Sequence, residues 1–146
     1  MRLLLAIVLA AILCACERVD VRAEPPVEEA CATVAGLDIA VRLEQSHPTQ
    51  AEHRKSVQIR AGQQQVAAFS MIDPGGFATV YVLDDGPRLV VVDGLANGVV
   101  IRKADRHVAD VVPQDLPKGW PAGAAGHFAY GGDPERYRWI PGAPAP

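Results

Sequence analysis

Asp38-Ile39-Ala40-Val41-Arg42-Leu43-Glu44 decides the fold of this chain. Ile39, Val41 and Leu43 share one face while Asp38, Arg42 and Glu44 share the other, the period of two that marks a half-buried strand. Ser56-Val57-Gln58-Ile59-Arg60 repeats the alternation, and after a turn at Gly62 residues 66–72 carry the next strand. Asp73-Pro74-Gly75-Gly76 is a strong turn signal, with Pro presetting φ and Gly accepting a positive one. Residues 77–83 are rich in β-branched and aromatic side chains and stop at Asp84-Asp85-Gly86-Pro87. The continuous apolar run Leu89-Val90-Val91-Val92 follows, then a turn at Asn97-Gly98, a strand over 99–103 and another over 107–112. Turns at about 10–12-residue spacing predict an all-β domain, a small antiparallel sandwich or barrel of about seven to nine strands. Leu83-Asp84-Asp85-Gly86 and Val92-Asp93-Gly94 echo each other, but a propeller needs at least about four blades of roughly 40 residues and the chain is too short for that.

The last third differs in texture. Residues 114–126 are punctuated by Pro117, Gly119, Pro121, Gly123 and Gly126, and five of the eight aromatics (Trp120, Phe128, Tyr130, Tyr137 and Trp139) fall between 120 and 139. Phe128-Ala129-Tyr130 and Tyr137-Arg138-Trp139 flank Gly131-Gly132-Asp133-Pro134, which predicts a hairpin with the two aromatics of each arm on one side. This is the one constellation with recognition chemistry: Tyr and Trp supply rigid contact area, and Arg pairs with carboxylates or phosphates. Trp120, Tyr130, Arg136, Tyr137, Arg138 and Trp139 are the candidate binding residues. Against that stands a structural use, since a small β-domain needs large rings to fill its core. The expected division puts Trp139 mostly inside and Arg136 with Arg138 outside.

Catalytic and metal patterns are missing from the sequence: no HExxH, GxSxG, Walker A, GxGxxG or CxxC occurs. Ser46 beside His47 makes no dyad, because strand neighbours point to opposite faces. His47 and His53, bracketing Glu52, form the least unfavourable metal set, yet surface loop histidines are far commoner than ligands. The expectation is therefore no catalytic residue, no metal and no cofactor. A formal net charge of −3 with no basic run argues against a nucleic-acid partner.

The N-terminus carries an address. Arg2 opens a positive start, residues 3–13 are apolar, and Leu13-Cys14-Ala15-Cys16 closes the segment. Eleven apolar residues make roughly 16 Å of helix, about half a hydrocarbon core, too short for a permanent span. The closing motif resembles a bacterial lipobox, with an aliphatic residue at −3, a small one at −1 and then the cysteine. That resemblance implies a signal peptide over 1–15 and Cys16 as the lipidated N-terminus, a membrane partner through covalent acyl chains. In the lipoproteins it resembles, Asp after the cysteine favours the inner membrane, so the resemblance implies that Glu17 leans toward the outer membrane, facing the periplasm. Residues 16–30, charged and carrying Pro25-Pro26, are read as a flexible tether; 31–140 form the single β-domain; 141–146 are a Pro/Ala tail. With Cys14 removed and Cys16 acylated, only Cys31 remains, and its expected role is that of a small packed hydrophobe.

By size, address and β content the chain resembles small β-rich lipoproteins such as lysozyme inhibitors, secretion pilots, assembly accessories and immunity proteins, all binders without catalysis. The functional expectation is thus an envelope lipoprotein that binds another envelope or periplasmic protein. The rival is a small-ligand or glycan binder using the aromatic hairpin 128–139.

Overall fold

A computed structural model describes residues 27–45, 53–73, 78–132 and 134–142. Ten strands run in order: β1 (Val27–Val34), β2 (Leu37–Gln45), β3 (His53–Ala61), β4 (Gln64–Asp73), β5 (Val80–Asp84), β6 (Arg88–Asp93), β7 (Gly98–Arg102), β8 (His107–Asp110), β9 (Gly126–Gly131) and β10 (Arg136–Pro141). They form two antiparallel sheets, β1-β2-β3-β4 and β10-β9-β5-β6-β7-β8, packed as an all-β sandwich. The alternation in β2 does what its sequence requires: Ile39, Val41 and Leu43 are buried and Asp38 and Arg42 exposed.

The principal core lies between the sheets, with Ile39, Val41, Leu43, Val57 and Ile59 from one and Val80, Val82, Leu89, Val91, Ile101 and Phe128 from the other. A second, smaller cluster occupies the outer face of the six-stranded sheet: Leu83, Val90, Val92 and Val100, covered by Val111, Leu116, Trp120 and Ala124 from the long connection after β8. This explains the unbroken run Leu89–Val92, since a strand buried on both faces has no polar side to alternate. Arg88 ties that connection down, its guanidinium lying 2.8 Å from Asp115 and 2.6 Å from Asp85. Gly98 is required by a close approach: a Cβ there would fall 2.0 Å from the Val91 carbonyl oxygen.

One boundary is corrected. The first strand begins at Val27, inside the segment assigned to the tether, and it brings the strand total to ten. Ala30 is buried in the core, and Glu28 reaches the other sheet, accepting a hydrogen bond from Tyr130 Oη and one from the Tyr137 backbone N–H, both at 3.0 Å. Glu28 thereby closes the flank where edge strands β1 and β10 meet. Residues 1–26 and 143–146, and with them Cys16 and the proposed tail, lie outside the described residues, as do His47 and Glu52.

Candidate functional site

The hairpin forms as the sequence indicates, with Tyr137 opposite Tyr130 and Trp139 opposite Phe128. Phe128 is fully buried, and the indole of Trp139 packs on it with ring centroids 4.9 Å apart, half-buried against the main core. Gly126 makes that seat, because a Cβ there would meet Trp139 Cζ2 at 2.2 Å. Tyr130 and Tyr137 meet edge-on at 5.4 Å. Tyr130 is exposed, and its phenol is pushed up to about 12, first by partial burial and then by the Glu28 carboxylate it donates to.

Tyr137 leaves the set of candidate contact residues. It is 5 % exposed and donates from Oη to the Ala78 carbonyl at 2.7 Å, so the ring is a core element with its polar end satisfied internally. Burial raises its phenol far above the ordinary tyrosine range. Trp120 also separates from the others. It sits over the outer face of the six-stranded sheet, edge-on to Tyr81 at 5.5 Å, while the hairpin rings face the inner core. Near it, Tyr81, His127, Pro121 and Ala124 line an apolar groove of ≈ 470 Å³.

Two arginines remain together on the outside. Arg136 and Arg138 alternate with Tyr137 and Trp139 on β10, are both exposed, and face away from the core two residues apart, roughly 7 Å along one strand. Arg138 is held low over the hairpin turn: a Cβ on Gly132 would come 3.1 Å from its Cζ, so the two glycines leave the space that the guanidinium covers. Arg42, Arg88 and Arg102 are paired with Glu44, Asp85 and Asp105 respectively. Neither Arg136 nor Arg138 makes an ion pair among the described residues. The arrangement presents two planar cationic forks on an edge strand, suited to carboxylates on a facing surface.

Sequence reading passed over a buried ion pair. Lys55 on β3 and Asp93 at the end of β6 are both fully buried, with Nζ 3.6 Å from Oδ2 across the gap between the sheets. Asp93 Oδ1 also accepts from the backbone N–H groups of Leu95 and Asn97, each at 2.9 Å, and so organises the β6–β7 turn. The signal was available: Lys55 falls in phase with the inward-facing Val57 and Ile59.

Cys31 is corrected as well. It is exposed on the outer face of β1, not packed in the core. Its thiol is nevertheless raised, first by local burial and then by the neighbouring Glu29 carboxylate, which disfavours the thiolate that reaction requires. Among the described residues no group of three or more His, Cys, Asp or Glu side chains is placed to hold a metal ion. No family model, curated protein or solved structure matches the chain.

Proposed function

We propose that this chain is a bacterial envelope lipoprotein, anchored by acyl chains on Cys16, that binds an acidic surface of another envelope or periplasmic protein and catalyses no reaction. The observation that supports the binding role is the exposed pair Arg136 and Arg138 on the outer face of the hairpin, with the Arg138 guanidinium lying over Gly131 and Gly132. An arginine fork already positioned over the turn, as Arg138 is, loses less freedom on pairing than a mobile one. The sequence motif Leu13-Cys14-Ala15-Cys16 supports the anchor, and an outer-membrane, periplasm-facing location follows from Glu17 on the same resemblance. Against the rival small-ligand or glycan role stands the burial of Tyr137, which leaves Tyr130 as the exposed ring of the hairpin.

Two measurements test the proposal. Cys16→Ser is expected to abolish membrane association, because two or more acyl chains anchor stably where protein contacts alone do not. Fractionation after high-salt and carbonate washes reads the result, and retention of the variant in membranes ends the lipid-anchor reading. For binding, partners captured from envelope extracts with the wild-type protein are compared with those of Arg136→Ala/Arg138→Ala. The double variant is expected to keep its melting temperature, since truncating an exposed arginine changes stability by only about 0.5 kcal/mol. Its affinity for the captured protein should fall about thirtyfold, roughly 2 kcal/mol, and wild-type binding should weaken as salt is raised. Equal binding by the two proteins would rule out the arginine surface.

A further inference from the structure

We propose that the apolar groove on the outer face of the six-stranded sheet is a site for a polyproline-type segment, and that its occupant is this chain's own Ala143-Pro144-Ala145-Pro146. The inference is independent of the arginine surface and of the lipid anchor. Tyr81 on β5 and His127 on β9 are register partners, and their rings lie 5.9 Å apart between centroids with planes tilted by 37°. Trp120 meets Tyr81 edge-on from the connection after β8, so three aromatic rings are contiguous here. The same connection supplies Pro121 through Ala124 to the groove, which holds ≈ 470 Å³. Among the described residues no Asp, Glu, Lys or Arg lines it. Rings beside small uncharged residues are the surface on which proline-rich segments lie, because the pyrrolidine ring packs flat and the extended backbone needs no ladder partner.

The occupant is selected first by where the chain goes. Gly142 itself lines the groove, and its N–H donates to the Ala125 carbonyl at 2.7 Å. A Cβ on Gly142 would fall 2.0 Å from the Ala124 carbonyl oxygen, so the backbone is pressed onto the stretch that forms the groove. Ala143 therefore begins at the site. Composition agrees, since the four residues after Gly142 are uncharged and apolar like the lining.

Conformation narrows the choice further. Pro144 and Pro146 have a fixed φ and no N–H, and Ala143 and Ala145 each precede a proline, which steers them away from helix. All four positions are thus restricted toward the polyproline form, and the missing donors keep the segment from extending β10 as a ladder strand. At about 3.1 Å per residue the segment reaches roughly 12 Å, more than the side of about 8 Å of a cube with the groove's volume. Restricted residues lose little freedom on docking, and a short connection supplies an effective concentration in the millimolar range. In place, the segment withholds the rings of Tyr81 and His127 from proline-rich segments of other proteins.

Acylation of His127 in the full chain tests this. Diethyl pyrocarbonate modifies accessible imidazoles, and mass spectrometry of the digested protein reads each histidine separately. His107, exposed on β8 and outside the groove, is the internal reference. In Pro144→Gly/Pro146→Gly, His127 is expected to react about tenfold faster than in the wild-type chain, with His107 unchanged. The peptide acetyl-Ala-Pro-Ala-Pro-amide, added at about 10 mM, should return the variant to the wild-type rate. Equal His127 rates in the two proteins, or a variant that the peptide does not protect, would overturn the proposal. A wild-type rate that rises on dilution would do the same, since the segment would then lie in the groove of a second copy.

Discussion

Asp93→Ala is expected to unfold the domain at room temperature or leave it at the edge of unfolding. The carboxylate has no exposure and serves three neighbours: Lys55 across the inter-sheet gap and the backbone N–H groups of Leu95 and Asn97. Removing one member of a buried ion pair costs about 3–5 kcal/mol, because the remaining charge keeps its desolvation cost. The two part-buried turn N–H groups each lose a hydrogen bond to a carboxylate, which adds about 1 kcal/mol apiece. Such a total rivals the entire stability of a domain of this size, about 5–15 kcal/mol. Lys55→Met should be milder, since Asp93 retains its turn hydrogen bonds and a thioether chain fills similar volume. Urea titrations followed by circular dichroism compare the two. A midpoint for Asp93→Ala equal to that of Lys55→Met would show that the turn contacts contribute little, and wild-type midpoints for both would show that the pair is dispensable.

The second large effect concerns where the domain starts. A chain beginning at Val27 is expected to melt at the temperature of one beginning at Glu17, whereas a chain beginning at Ala30 should melt about 10 °C lower. The short chain loses Glu28 and with it the acceptor for Tyr130 Oη and the Tyr137 N–H. Two hydrogen bonds to a charged group, at about 1.5 kcal/mol or more each, amount to roughly 3 kcal/mol, and 1 kcal/mol moves a domain of this size by about 4 °C. Glu28→Ala in the longer chain should reproduce most of the loss. If the chain beginning at Ala30 melts with the others, β1 contributes nothing through Glu28.

Nine of the ten strands were legible because their apolar residues keep step with the pleat or, in Leu89–Val92, fill both faces. β1 was not, for a local reason. Its inward positions are Glu28, Ala30, Ala32 and Val34, so small alanines and a glutamate stand where an apolar stripe would announce a strand, while Val27 and Cys31 point outward. Only the distant Tyr130 and Tyr137 make an inward Glu28 tolerable, and no local window contains them. Lys55 failed for a similar reason. Its phase pointed inward, but its acidic counterpart lies on another strand in the other sheet. The hairpin arms and the outward placement of Arg136 and Arg138 followed from alternation alone, whereas Trp120 could be separated from the hairpin only once the connection after β8 was seen to cross the outer face. Cys31 needed the same tertiary information, since its side of β1 depends on which face the alanines bury.

The Glu28 contact has a mechanical consequence. If the proposed anchor at Cys16 and the proposed partner at Arg136 and Arg138 both hold, the protein is loaded between two points, the start of β1 and the tip of the β9–β10 hairpin. Glu28 is one residue from the first and bonds directly to Tyr130 and Tyr137 at the second. The Glu28 contact is then the direct route for tension between the two points, in parallel with the β1–β2 ladder that holds Val27 through Val34 to the rest of the sandwich. Under pull the Glu28 joint should open first, uncoupling the hairpin from β1 while the β1–β2 ladder and the core behind it keep their shape.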